Sequence, residues 1–139
     1  MRLELATPQR LVLSLAVRSL QAPGADGYFG ILPGHAPMLS LLGAGELSYE
    51  PEAGPESGPE AGESRRYLIG GGFMEVTPDQ VTLLADVAEL PHEINAGQAR
   101  QDLAAGEAVI RSAAPDADYE AALRQIALAQ ARLALAEKS

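Results

Sequence analysis

The chain carries two histidines, and these are the first residues to consider for acid–base or metal chemistry. His35 lies in a loop rich in Pro and Gly, and His92 follows Pro91 just before a predicted helix. Neither belongs to an H-x-x-x-H pair or a similar ligand spacing, and the chain has no Cys, so no metal site is predicted. An enzyme that uses His35 as a base would need a neighbouring acid or nucleophile, which the sequence does not identify.

Two glycine-rich segments have the composition of phosphate-binding loops without the required spacing. Residues 70–72 (GGG) lack the spacing and the Lys of a phosphate loop, and residues 43–45 (GAG) lie in no βαβ unit. We interpret both segments as tight turns. The acidic residues between Glu50 and Glu63 are interpreted as a solvated loop rather than a cation site. The residues that could do chemistry therefore predict no catalytic site and no cofactor.

Composition and charge exclude further classes of protein. The 139 residues carry a formal net charge of −9, whereas nucleic-acid binding and adhesion to anionic lipid both need a basic surface. The first residues do not form the basic and apolar regions of a signal peptide. No apolar run approaches the ~20 residues that span a bilayer. We therefore expect one soluble cytoplasmic protein with no nucleic-acid partner and no direct membrane insertion.

Residues 1–90 have the pattern of a β domain. Apolar residues alternate with polar ones in the first two predicted strands, where Leu11, Leu13, Leu15 and Val17 are expected on one side. Short apolar runs then recur between turn signals, which predicts a sandwich or barrel of about ten short strands. Residues 51–64 contain three tandem Pro-Glu-x-Gly tetrapeptides without a large apolar residue. We interpret this segment as a mobile hairpin insertion.

Residues 91–139 change to a helical pattern with a break at residues 112–116. Asn95 is the expected N-cap of the first helix, and Asp116 or Asp118 that of the second. The pattern places two stripes on the second helix, one to pack on the first helix and one to meet another surface. The first stripe consists of Tyr119, Leu123, Ile126 and Leu133, and the second of Leu128 and Leu135.

Four segments, in order along the chain, carry a resemblance to a known family. These are residues 27–37 (GYFGILPGHAP), 67–76 (YLIGGGFMEV), 81–86 (VTLLAD), and Asp118-Tyr119 before an Ala/Leu/Arg helix. The chain resembles the epsilon subunit of the bacterial F-type ATP synthase over nearly its whole length. The resemblance implies a flattened β-sandwich followed by an antiparallel two-helix hairpin with a regulatory role.

The resemblance also implies a function, a location and partners. The chain would be a non-catalytic subunit of the rotor, coupling ion flow through the c-ring to ATP synthesis, peripheral on the cytoplasmic side of the cell inner membrane. Its β domain would dock on the gamma subunit and the c-ring, with an aromatic contact at Tyr28 where some relatives have an acidic residue. The expected contact loop comprises Tyr28, Phe29, Ile31, Leu32, Pro33, Gly34, His35, Ala36 and Pro37.

For the helical hairpin, the resemblance implies inhibition of ATP hydrolysis in an extended state. Arg124, Arg132 and Lys138 would then meet the beta and alpha catalytic subunits. The nucleotide motif of some relatives is degraded here, because Asn95 and Gln98 replace its Asp and Arg. Ile94 and Arg100 remain from this region, and weak or no ATP binding is expected.

A free-standing β-sandwich that binds a small ligand or carbohydrate is the alternative. Such a protein should expose aromatic platforms, but only 4% of the residues are aromatic and Tyr28-Phe29 is the sole adjacent pair. Co-purification with large nucleotide-hydrolysing subunits would separate the rotor interpretation from both the ligand-binding and the enzyme interpretations.

Overall fold

The computed structural model describes residues 1–52 and 65–138. This part of the chain divides into two compact units, Met1–Leu90 and Pro91–Ser139. The first unit contains seven strands, and the second contains a short 3₁₀ turn (Pro91–Glu93) followed by two helices. The strands are β1 (Arg2–Ala6), β2 (Leu11–Gly24), β3 (Gly27–Ile31), β4 (Met38–Leu41), β5 (Ala44–Pro51), β6 (Arg66–Val76) and β7 (Gln80–Glu89), and the helices are α1 (Ala96–Ser112) and α2 (Tyr119–Lys138).

The strands of the first unit form a sheet that closes on itself. Their order is β1-β7-β6-β5-β2, and β1 pairs again with β2. The pair β1–β7 is parallel, and β3 and β4 extend the sheet from β2 and β6. Alternate residues point into the core, as Leu3 and Leu5 do in β1 and Val81 and Leu83 in β7. The predicted fold class, a β-sandwich followed by two helices, is confirmed.

The expected number of about ten short strands is wrong for the described part of the chain, which has seven. The main reason lies in β6, because residues 70–72, predicted as a turn, lie inside this strand. Gly71 and Gly72 have φ angles of 74° and 105°, which let the strand bend without ending. Pairing with β7 keeps one register from Leu68↔Glu89 to Val76↔Val81. Two apolar runs in the sequence therefore belong to one strand that passes through a bend.

Two further expectations about the β domain need correction. Leu11 does not share the buried side of β2 with Leu15 and Val17, because 58% of its surface is exposed. Pro51 does not begin an insertion but ends β5, where it is buried opposite Val17. The rest of the predicted insertion, residues 53–64, lies outside the described residues.

The ends of the helices are formed by local hydrogen bonds. The Asn95 side chain accepts a bond from the Gln98 N–H at 2.9 Å, which confirms the predicted cap of α1. Asp118, rather than Asp116, accepts from the Ala121 N–H at 3.0 Å at the start of α2. The Tyr119 hydroxyl donates to the Ala114 carbonyl at 2.5 Å. The loop between the helices is thus fixed from its α2 side.

Most of the fully buried residues of the two helices are small. Ala99 and Gly106 are buried on α1, and Ala122, Ala129 and Leu135 are buried on α2. The predicted stripe of larger residues is wrong for Leu123, which is 57% exposed. Small residues at a helix contact let the two axes approach closely, and each contributes little apolar area.

Candidate functional site

The loop between β3 and β4 is held by backbone hydrogen bonds. The Gly34 N–H donates to the Pro78 carbonyl at 2.8 Å, which ties the loop to the turn between β6 and β7. The His35 N–H donates to the Leu32 carbonyl at 3.2 Å. His35 Nδ1 lies 2.7 Å from the Ala36 carbonyl oxygen, to which it donates when it carries the proton. This contact orients the His35 ring and, when Nδ1 carries the proton, fixes its tautomer.

The predicted contact residues of this loop divide into a supporting set and an exposed set. Ile31 is 1% exposed and Phe29 packs against the core, so both support the loop from beneath. Tyr28 is 54% exposed, and its hydroxyl accepts a hydrogen bond from the Glu46 N–H at 3.1 Å. Exposed positions continue through Leu32, Pro33, Gly34, Ala36 and Pro37, with His35 half-buried. A partner of the loop would thus meet a stiff backbone, whereas Tyr28 lies at the other end of β3, beside the turn between β2 and β3.

A row of apolar side chains forms a second surface on the outside of the sandwich. The sequence alone did not predict this surface. Strand register places Leu41 opposite Phe73, Phe73 opposite Leu84, Leu84 opposite Ala6, and Ala6 opposite Leu11. We call these five residues the apolar belt. Its four large members are each between 42% and 68% exposed. At the usual spacing between strands, the belt is about 19 Å long.

Acidic residues border the apolar belt. In the adjacent outward row, Glu75 lies opposite Leu39 and Thr82, and Thr82 lies opposite Glu4. Asp86 follows Leu84 on the same face of β7 and lines a depression of about 220 Å³ beside Phe73. An exposed apolar surface with an acidic border fits a partner whose apolar face is edged by basic residues.

The cations predicted to contact catalytic subunits have different environments on α2. Arg132 Nη1 lies 4.0 Å from Asp102 Oδ2 of α1, with 22% of the Arg132 side chain exposed. Arg124 and Lys138 are exposed. Arg124 and Arg132 line one groove of about 310 Å³ together with Asp102, Gln125 and Leu128. The structure thus brings two of the three predicted cations together.

The two residues predicted for a degraded nucleotide site lie at the start of the helical unit. Ile94 is half-buried, and its N–H donates to the Pro91 carbonyl at 3.3 Å. Arg100 is exposed in the second turn of α1. The described residues contain no group of three or more His, Cys, Asp or Glu that could hold a metal ion. Among the helices described, none is long and apolar enough to cross a membrane.

The closed β unit carries two features suited to docking, an anchored loop and an exposed apolar belt, and a helix pair follows it in the chain. The family model described as "ATP synthase, Delta/Epsilon chain, beta-sandwich domain" matches residues 1–91. The ATP synthase epsilon chain of Solibacter usitatus is 41% identical over 138 residues, covering 99% of this chain and 96% of that one. That of Herpetosiphon aurantiacus is 40% identical over 134 residues, covering 96% and 90%.

A solved structure supports the same fold. A chain in the mitochondrial ATP synthase of Euglena gracilis (OSCP/F1/c-ring, rotational state 1) matches with a TM-score of 0.76. It is 21% identical and covers 95% of this chain and 78% of its own length. The family model matches the β unit, and the relatives match almost the full length of the chain. The chain therefore belongs to the ATP synthase epsilon chain family. The family resemblance found in the sequence is thereby confirmed.

Proposed function

We propose that the chain is a central-stalk subunit of an F-type ATP synthase that turns with the rotor and couples ion flow to ATP synthesis. Its family consists of non-catalytic subunits of that enzyme. The apolar belt is the observation that carries the proposal. Side chains such as Leu41, 68% exposed on an edge strand, need a partner to leave water.

The two surfaces of the β unit suit two partners. We assign the apolar belt to the gamma subunit, because a permanent contact between rotor subunits is served by apolar burial. We assign the loop from Leu32 to Pro37, together with Tyr28, to the c-ring. A contact that transmits torque needs a stiff backbone, which the Gly34–Pro78 bond provides. The chain would then lie peripherally on the cytoplasmic side of the cell inner membrane.

The helical unit would supply regulation. In an extended arrangement, Arg124, Arg132 and Lys138 would meet acidic surface on the beta and alpha subunits and block rotation in the hydrolysis direction. The helix pair supports this, since four of its five fully buried residues are Ala or Gly, which offer little apolar area.

Weak or no ATP binding remains our expectation for the isolated chain. Of the two residues that remain from the nucleotide motif, Ile94 is apolar and Arg100 is one exposed cation near the start of α1. A phosphate group is usually held by several hydrogen-bond donors. Calorimetric titration of the full chain with ATP should give no heat at micromolar ATP. Saturable binding at that concentration would contradict the expectation without affecting the proposed role in the stalk.

The first experiment measures ATP hydrolysis by an ATP synthase catalytic head from which the epsilon chain has been removed. Full-length chain and a truncation after Leu90 are added in turn. Binding of both with inhibition by full-length chain alone supports the stalk position and the inhibitory role of the helices. Binding without inhibition by either leaves only the coupling role. If neither binds, the proposed function is wrong.

A further inference from the structure

Asp102 is the meeting point of three side chains in the helical unit. Its Oδ1 accepts a hydrogen bond from Gln98 Nε2 at 2.9 Å, one turn earlier on α1. Its backbone carbonyl accepts from Gln125 Nε2 of α2 at 2.8 Å. Its Oδ2 faces Arg132 Nη1, two turns further along α2, at 4.0 Å. One residue of α1 thus contacts two residues on the same face of α2.

These polar contacts matter because the apolar seam beside them is thin. The fully buried residues of the two helices are small apart from Leu135, with Ala99 and Gly106 on α1 and Ala122 and Ala129 on α2. Alanine offers little area for hydrophobic burial, and glycine offers no side chain. The contacts of Asp102 therefore contribute a larger share of the pairing between α1 and α2 than they would beside a leucine-rich seam.

The ion pair also limits what Arg132 can reach. Only 22% of the Arg132 side chain and 31% of the Asp102 side chain are exposed. A carboxylate on another protein could pair with Arg132 only by displacing Asp102 or after α2 has separated from α1. Arg124, which lines the same groove, is exposed and has no such restriction.

We propose that Asp102 is a positioning residue that pairs α2 with α1 and keeps Arg132 from an acidic partner surface until the helices separate. This inference rests on the proposed inhibitory role of the helices for its partner. Arg124 would be available in either arrangement, and Arg132 in the separated one. The pair Asp102–Arg132 would thereby make inhibition depend on opening of the hairpin.

The first test measures the pairing of the helices in the full chain. Because the chain has no Cys, spin labels can be attached to cysteines introduced at the exposed Ala105 and Gln130 without background labelling. Asp102→Asn removes the charge but keeps an oxygen acceptor for Gln98. We expect a broader and longer distance distribution for Asp102→Asn and an unchanged one for Glu107→Gln, which removes an exposed charge on the same helix. Identical distributions for Asp102→Asn and the parent chain would overturn the pairing role.

The second test measures inhibition of ATP hydrolysis by the catalytic head. Loss of the Asp102 charge in Asp102→Asn should weaken the hold on Arg132 and lower the concentration for half-inhibition by about two- to fivefold, the range set by a partly exposed ion pair. Arg132→Gln should raise that concentration, and Asp102→Asn added to Arg132→Gln should change nothing further. If Asp102→Asn merely loosened the helices, it would still lower the concentration for half-inhibition when Arg132 is absent.

The two tests separate this inference from the proposed function. If the parent chain inhibits and Asp102→Asn inhibits equally, the restriction on Arg132 is wrong while the proposed function stands. If the parent chain neither binds nor inhibits, the proposed function is wrong, and the distance measurement alone decides whether Asp102 pairs the helices.

Discussion

Gly106 of α1 lies directly against Ile126 of α2. A Cβ atom built on Gly106 would be 2.8 Å from Ile126 Cγ1 and 3.2 Å from the Ala122 carbonyl oxygen. The first distance is shorter than carbon atoms tolerate, and the second involves backbone that moves only with the whole helix. The absence of a side chain at position 106 therefore sets how closely the two helices approach.

Gly106→Ala should destabilise the helical unit although Ala is the better helix former. The gain in helix propensity is about 1 kcal/mol, whereas overpacking a close contact costs about 1–3 kcal/mol. Gly97→Ala is the matched control, because a Cβ there meets only Asn95 Oδ1 at 3.4 Å. We expect thermal unfolding, followed by far-ultraviolet circular dichroism, to shift down for Gly106→Ala and slightly up for Gly97→Ala. A higher unfolding temperature for both variants would mean that the two helices move apart to accommodate a side chain at position 106.

The sequence predicted those features that depend on local chemistry. Asn95 was identified as a cap because an amide before a helical pattern satisfies a free backbone N–H, and the structure shows that bond. The anchored loop followed from its Pro and Gly residues. On α1 the periodic positions Ala99, Leu103, Gly106 and Ile110 include both buried residues. On α2 the buried Ala122 and Ala129 were missed, because periodicity arguments look for large apolar residues.

The apolar belt could not be predicted, because it depends on pairing between distant strands. Leu84 and Ala6 lie opposite each other only through the parallel pair of β7 and β1. Alternation predicts Leu11 on the same side as Leu15 and Val17, but the register shift at the end of β1 places it beside Ala6 on the outside. A single sequence does not state which strands will be neighbours, so it does not state which side chains will form a row.

Gly72→Ala should be among the most damaging single changes in the β unit. The φ angle of Gly72 is 105°, and a Cβ there would lie 2.0 Å from the Leu84 carbonyl oxygen. Strain at such an angle together with the steric conflict should cost about 2–5 kcal/mol. Gly30→Ala is the control, because that position has open space and no positive φ. Equal thermal stability of the two variants would contradict the bend assigned to β6.

Replacing Asp116 and Asp118 in turn should show which of them caps α2, because the sequence alone allows either. Asp118→Ala removes the acceptor for the Ala121 N–H and a negative charge at the helix start, which should cost about 1 kcal/mol. Asp116→Ala removes the same charge two residues earlier and should cost less than about 0.5 kcal/mol. Chemical denaturation of the two variants provides the comparison. A larger loss for Asp116→Ala would place the cap elsewhere.

Phe73 is the central large residue of the apolar belt and the best position at which to test it. It lies opposite Leu41 on one side and Leu84 on the other, with 44% of its surface exposed. Because the side chain points away from the core, Phe73→Ser should leave the unfolding temperature nearly unchanged. Truncating a central aromatic anchor in an interface commonly costs 2 kcal/mol or more, which corresponds to about a 30-fold loss of affinity.

The matched control for Phe73→Ser is Leu123→Ser on α2, which removes a side chain of comparable exposure from outside the belt. Calorimetric titration of each variant into the isolated gamma subunit measures the affinity directly. We expect the loss for Phe73→Ser alone, since Leu123 belongs to the helical unit and not to the sandwich surface. Unchanged affinity of the Phe73→Ser variant would remove the belt as the gamma-binding surface. A loss confined to Leu123→Ser would instead assign the stalk contact to α2.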